Sequence, residues 1–274
     1  MSADHPYRGA RVALATQHGK AGALAPPLAR RLGLIVAPVA IDTDAFGTFT
    51  GTRPRTGTAA EAALAKARAG MAASGLQLGL ASEGSFGPHP WLPFGAGGVE
   101  TLAFIDAERG LELTLSAVSR RTNFAHHDVV DGEYIAPFLA RVGFPSHALV
   151  VKDDSGAVLA TGVQDLSKLT ALARPGTRLE TDMRAHMNPT RMAAIRALAG
   201  RLAARLAASC PACGSPGWGQ TDVQRGLPCS SCRQPTQGVL AIVDGCTVCS
   251  HSETRPRPDG ITAASPAHCD WCNP

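Results

Sequence analysis

All eight cysteines of this 274-residue chain lie at or beyond position 210, in four Cys-x-x-Cys pairs. Cys210 and Cys213 are followed after 15 residues by Cys229 and Cys232; Cys246 and Cys249 are followed after 19 by Cys269 and Cys272. Two such pairs supply the four thiolates of a closed tetrahedral zinc site, so the spacing predicts two zinc sites of four cysteines each. The pairing is either sequential or cross-braced, and the similar spacing in each half favours sequential, first pair with second and third with fourth. Redox Cys-x-x-Cys chemistry is the competing reading. Gly214, Pro228 and Gly245 suit knuckle turns, and a segment so poor in apolar residues has little to fold around without metal. Residues 210–274 therefore read as a zinc-ribbon-like domain that stabilises the chain or docks a protein partner. Its Arg225, Arg233, Arg255 and Arg257 are outweighed by Asp222, Asp244, Glu253, Asp259 and Asp270, which argues against nucleic acid.

Cysteines clustered as metal ligands fit a reducing, cytoplasmic setting. No run approaches the roughly 18 uninterrupted apolar residues of a membrane span, and Asp4, His5 and Arg8 stand where a signal peptide would need an apolar centre.

Upstream, short apolar runs alternate with helical patterns. They predict an α/β domain over residues 1–187, with a mixed central sheet flanked by helices and a phosphate or nucleotide site. Arg11 to Thr16 reads as a buried strand, and Gln17-His18-Gly19-Lys20 as a turn opening an Ala/Leu-rich helix to about Arg31. The helix-start N–H groups and the Lys20 ammonium both favour an anion. Leu34 to Ile41 gives a second strand, followed by Asp42, Asp44, a Gly/Thr-rich loop from Phe46 to Gly51, and Arg53 and Arg55. Thr56 to Ser74 is a helix in which Thr58 and Glu61 have capping-box spacing, and Glu61 is either that cap or a metal ligand. Leu78 to Glu83 is a strand ending in a carboxylate, and Gly84 to Pro90 reads as a loop covering a ligand.

Val99 to Asp106 and Leu111 to Ser119 predict an antiparallel hairpin. His126, His127 and Asp128 follow, but adjacent histidines on a strand point to opposite faces, which disfavours a shared metal. A helix over Asp131 to Arg141, a hairpin from His147 to Thr161 and a short helix over Leu166 to Leu172 complete the domain. Asn188 then caps a long linking helix, residues 188–209, with Met192, Ile195, Leu198, Leu202 and Leu206 as its apolar stripe. Arg184, His186 and Arg191 are expected to gather at its start, where arginines clamp phosphate.

The strings Leu80 to Pro90, Asp182 to Arg191 and Cys269-Asp270-Trp271-Cys272-Asn273-Pro274 resemble a bacterial family known only as a domain of unknown function. More remotely, residues 11 to about 87 are similar in layout to the inosine triphosphate pyrophosphatase-like superfamily, which removes pyrophosphate from noncanonical nucleoside triphosphates using magnesium. That resemblance implies that Thr16 and Lys20 contact phosphate, that Glu61, in Glu61-Ala62-Ala63-Leu64-Ala65-Lys66-Ala67, binds the metal, and that Glu83 is the acid at the strand end. The chain departs from it in carrying Ser82-Glu83 for a pair of aspartates and no asparagine at Gln17-His18.

Two functional readings follow. One is a Mg-dependent hydrolase of nucleotide or other phosphoanhydride substrates, with Glu83, Glu61 and Lys20 catalytic and Thr16, His18, Ser85, His89, Arg184, His186 and Arg191 binding substrate. The other is a noncatalytic phospholigand-binding or protein-interaction module with structural zinc. A metallohydrolase built on His89, His126 and His127 lacks the usual histidine spacings.

Overall fold

The computed structural model describes residues 5–16, 19–42, 57–89, 92–119, 121–132 and 134–274. The chain divides into two units, residues 1–107 with 114–203, and residues 108–113 with 204–274.

The first unit holds a mixed sheet. Strands β1 (Arg11–Ala15), β2 (Ile35–Val39), β3 (Leu78–His89), β4 (Leu92–Asp106) and β5 (Leu111–Ser119) run in the order β2-β1-β3-β4-β5. β1 is parallel to both β2 and β3, and β3 is antiparallel to β4. Helix α1 (Ala21–Leu32) carries the chain from β1 outward to β2; α2 (Ala59–Ser74) carries it back past β1 to β3. Parallel crossovers are right-handed, so reversing direction at β2 sends the two helices to opposite faces of the sheet, the topology in which a ligand crevice is expected beyond the carboxyl ends of β1 and β3.

Sequence explains how closely α2 lies on the sheet. Its buried positions are Ala62, Ala63, Lys66, Ala67 and Gly70, and Ala67 packs with Ala15, Ala81 and Ile105. A Cβ on Gly70 would stand 3.2 Å from that of Ala15, so the helix rides on small side chains and one glycine. Its start is a complete capping box of Thr58 and Glu61, and its end is Gly75 at φ 71°.

A second, separate antiparallel sheet was not foreseen. Strands β6 (His126–Asp128), β7 (Leu149–Lys152), β8 (Val158–Val163) and β9 (Arg178–Thr181) run in the order β6-β9-β7-β8. Helices α3 (Ala136–Val142) and α4 (Leu166–Leu172) cover it, closing a core that includes Val129, Phe138, Val142, Leu149, Val163, Leu169 and Leu179. α3 starts later than the predicted Asp131 because Gly132 turns at φ 70°. The long helix α5 (Pro189–Leu206) begins where Asn188 Oδ1 accepts from the Arg191 N–H at 3.0 Å.

One expectation is corrected at β3. The stretch from Gly84 is not a covering loop: the strand continues to His89 and pairs with β4 throughout. Its glycines admit close neighbours rather than making a turn. A Cβ on Gly84 would collide with the Arg191 guanidinium, and one on Gly98, across the ladder, with the Phe86 ring.

The second unit contains a three-stranded antiparallel meander, β10 (Gly219–Arg225), β11 (Val239–Gly245) and β12 (Ser252–Pro256). Among the described residues, no helix is long and apolar enough to cross a membrane.

Candidate functional site

Around the middle of β3 and β4, away from Asp106 at the end of β4, five charged side chains are buried among the described residues: Lys20, Lys66, Glu83, Glu100 and Arg191, none more than 8 % exposed. The sheet sorts them by face. Residues 79, 81 and 83 of β3 point toward α2, where Lys66 Nζ meets Glu83 Oε2 at 2.5 Å. Residues 82 and 84 point the other way, toward α5, whose Arg191 donates from Nε to Glu100 Oε1 at 2.6 Å and from Nη1 to the Met183 carbonyl. The guanidinium also lies over the Phe86 ring, 5.1 Å from its centroid. Arg191 and Glu100 line a cavity of about 30 Å³ with Gly98, Ala117, Met183 and Ala194, room for about two water molecules.

Lys20, the first residue of the α1 turn, reaches across from β1 to β3, its Nζ donating to the Ser82 carbonyl at 3.2 Å. Burial, and next the Arg191 cation, pull its ammonium down to about 7; Glu100 and Glu83 oppose this and Lys66 adds to it. With Lys66–Glu83 and Arg191–Glu100 matched, Lys20 is the cation in excess among these five, just beyond the carboxyl end of β1 and tied to β3.

The other predicted residues are placed differently. Glu61 is a cap: its carboxylate accepts from the Thr58 N–H at 2.7 Å and hydroxyl at 2.9 Å, and the Thr58 backbone bond holds its pKa low. Arg184 does not join Arg191 but grips Asp182, Nη2 to Oδ2 at 2.6 Å. Burial alone would raise the Asp182 pKa, but the Arg184 bonds outweigh it and the pKa is lowered. His186 is exposed beside the turn into α1, its Cβ 3.9 Å from where a Gly19 Cβ would stand; burial and the Arg184 cation lower its pKa. Thr16 is half-buried just past β1 and Ser85 is exposed on β3. His18, Gln17, Asp44, the loop from Phe46 to Gly51, Arg53, Arg55, Thr56 and Pro90 lie outside the described residues, as does the side chain of His89. His126 and His127 join no metal-capable group among the described residues.

Lys66, Ser82 and Glu100 were missed, though the sequence carried a signal for two of them. Lys66 is the one charged residue among the buried positions of α2, and Glu100 shares a face of β4 with Leu102 and Phe104, both fully buried.

In the second unit the cysteines form two groups, Cys210, Cys213, Cys246 and Cys249, and Cys229, Cys232, Cys269 and Cys272. The pairs thus alternate, first with third and second with fourth, and sequential pairing is overturned. The meander is the reason. Each strand carries the chain from one end of the sheet to the other, so alternate knuckles return to the same end, about 20 Å from the others for a strand of this length.

The geometry fits a metal. Sγ–Sγ separations are 3.8 Å for Cys210–Cys249, 3.7 Å for Cys213–Cys246, 3.9 Å for Cys229–Cys272 and 3.6 Å for Cys232–Cys269. Thiolates about 2.3 Å from a tetrahedral zinc stand about 3.8 Å apart, whereas a disulfide brings them to about 2.0 Å. The knuckles share one backbone pattern: Cys210, Cys229 and Cys246 each donate an N–H to the carbonyl five residues on. The tight turn needs a left-handed residue, Gly214 at φ 72° in the first knuckle and Arg233 at φ 65° in the second. N–H groups of Val248 and Cys249 point at the Cys246 sulfur, at 3.3 and 3.4 Å. Without metal the thiols split: the N–H groups of Cys232 and Ser231 draw Cys229 down to about 7, and neighbouring Cys232 pushes Cys272 up to about 12. A cation would bring all four to thiolate.

No curated protein and no solved structure matches the chain. One family model, for a domain of unknown function (DUF6671), matches residues 66–274. That span takes in Lys66, Glu83, Glu100, Arg191 and every cysteine, and starts beyond Lys20. Covering most of the sequence from α2 to the last knuckle, the match establishes that the chain belongs to the DUF6671 family.

Proposed function

We propose that the first unit binds a phosphate-bearing small molecule in the crevice beyond β1 and β3, with Lys20 as its principal cation, and that the cysteine groups hold two structural zinc ions. One observation carries the phosphate reading. A buried ammonium at the start of α1 has, among the described residues, a single hydrogen bond, to the Ser82 carbonyl. Such a group is costly until an anion arrives, and the helix start favours the same charge.

Among the described residues, the candidate carboxylates do not fit magnesium. That ion needs carboxylate oxygens to spare, but Glu83 is held by Lys66, Glu100 by Arg191 and Glu61 by Thr58. Binding is therefore preferred to hydrolysis. The remote likeness to the inosine triphosphate pyrophosphatase-like superfamily is consistent with a phosphate at Lys20 but supplies no carboxylate pair. Zinc held by reduced thiols fits a cytoplasmic protein, with the metal unit available to a protein partner.

Calorimetry with pyrophosphate and nucleoside triphosphates in EDTA tests the proposal. Binding that survives chelation and is lost in Lys20→Met is expected; binding indifferent to that change refutes the role of Lys20. Turnover with Mg²⁺ that Glu83→Gln abolishes would replace the binding reading with the hydrolase one. Metal analysis should return about two zinc per chain.

A further inference from the structure

Ser82 is 2 % exposed, and its Oγ has no hydrogen-bond partner among the described residues. A buried hydroxyl left unsatisfied is a standing cost, and so a pointer to what satisfies it. Its direction is fixed by the ladder. Ser82 pairs with Leu102 and Gly84 with Glu100, so both lie on the face where a Gly84 Cβ would stand 3.0 Å from Glu100 Oε1. Lys20 is tied to the carbonyl of the same residue. α1 starts at Lys20 with no side-chain cap and no acid in its first turn. Glu100, the carboxylate on this face, already accepts from Arg191. Three kinds of donor thus converge without an acceptor: the unspent Lys20 N–H bonds, the Ser82 O–H and the first N–H groups of α1.

We infer that Ser82 is a ligand-contacting residue, its hydroxyl joining Lys20 and the start of α1 to hold a terminal phosphoryl group. The inference rests on the phosphate reading and narrows it. The ligand class is a phosphomonoester or the end of a polyphosphate chain, whose tetrahedral head offers several acceptors to donors on different elements. The group is seated on the α1 side of β3, without metal.

The test is Ser82→Ala in the full chain, with two readouts: calorimetric affinity for inorganic pyrophosphate in EDTA, and melting temperature without ligand. Binding should weaken about 10- to 100-fold, the worth of one hydrogen bond to a charged group, while the free protein melts at or above the wild-type temperature because an unsatisfied hydroxyl has gone. Unchanged affinity overturns the inference, and so does weaker binding with a lowered melting point, which marks a structural hydroxyl. Lys20→Met separates the two levels: if it abolishes binding that Ser82→Ala leaves intact, the phosphate reading stands and the role of Ser82 falls. If the wild type takes up no pyrophosphate, both fall.

Discussion

Replacing Lys20 with methionine should erase a rise in stability that the wild type shows between pH 7 and pH 9. An unfolded lysine titrates near its ordinary value of 10.5, whereas folded Lys20 titrates at about 7. Between those values the unfolded chain carries a proton that the folded one lacks. Because the folded pKa is the lower, raising the pH removes that advantage of the unfolded state and stability climbs. Each full pH unit is worth about 1.4 kcal/mol, and Lys20 is still half-protonated at pH 7, so two units give about 2 kcal/mol. The groups facing Lys20, namely Arg191, Glu100, Lys66 and Glu83, are common to both proteins, so the difference between wild type and variant isolates its titration. Urea unfolding at pH 7 and pH 9 reads it directly, and a melting scan should widen the gap by roughly 4 to 8 °C for a unit of this size. Parallel pH dependences in the two proteins would refute the account of a desolvated ammonium.

Metal stoichiometry distinguishes the two pairings: Cys213→Ser with Cys246→Ser should keep one zinc per chain, and Cys213→Ser with Cys229→Ser should keep none, whereas sequential pairing demands the reverse. Lys66→Met should destabilise the first unit by about 3 to 5 kcal/mol by removing the ammonium paired with the buried Glu83 carboxylate. Adding Glu83→Leu should restore most of that loss, as denaturant midpoints will show. Gly84→Ala should cost about 1 to 3 kcal/mol by driving the Arg191 guanidinium off its seat, and wild-type stability in that variant would contradict the close approach.

What could be read in the sequence was whatever local chemistry decides. The capping box at Thr58 and Glu61, the start of α5 at Asn188 and the four knuckles depend on neighbours a few residues away, and each formed where the residues required it. The mixed sheet and the long helix followed from periodicity. What stayed hidden depended on topology. Which knuckles come together is settled by three strands, not by spacing. Whether Gly84 and Gly98 turn the chain or admit a guanidinium and a ring is settled by what packs across from them. Arg184 looked equivalent to Arg191, but Asp182 lies two residues from the first, while Glu100 comes to the second from 91 residues away.

The alternation of knuckles also bears on how the second unit comes to exist on the ribosome. One group spans residues 210 to 249 and the other 229 to 272, so the two loops overlap like links of a chain. A nascent chain that has released its first two Cys-x-x-Cys pairs, enough ligands for one ion, still has no finished cradle at either end of the meander. The first becomes complete once Cys249 has emerged, and the second waits for Cys272. Synthesis therefore exposes five thiols before any group is complete, and a product cut short between residues 232 and 246 should be open to oxidation and proteolysis in a way that the finished unit is not.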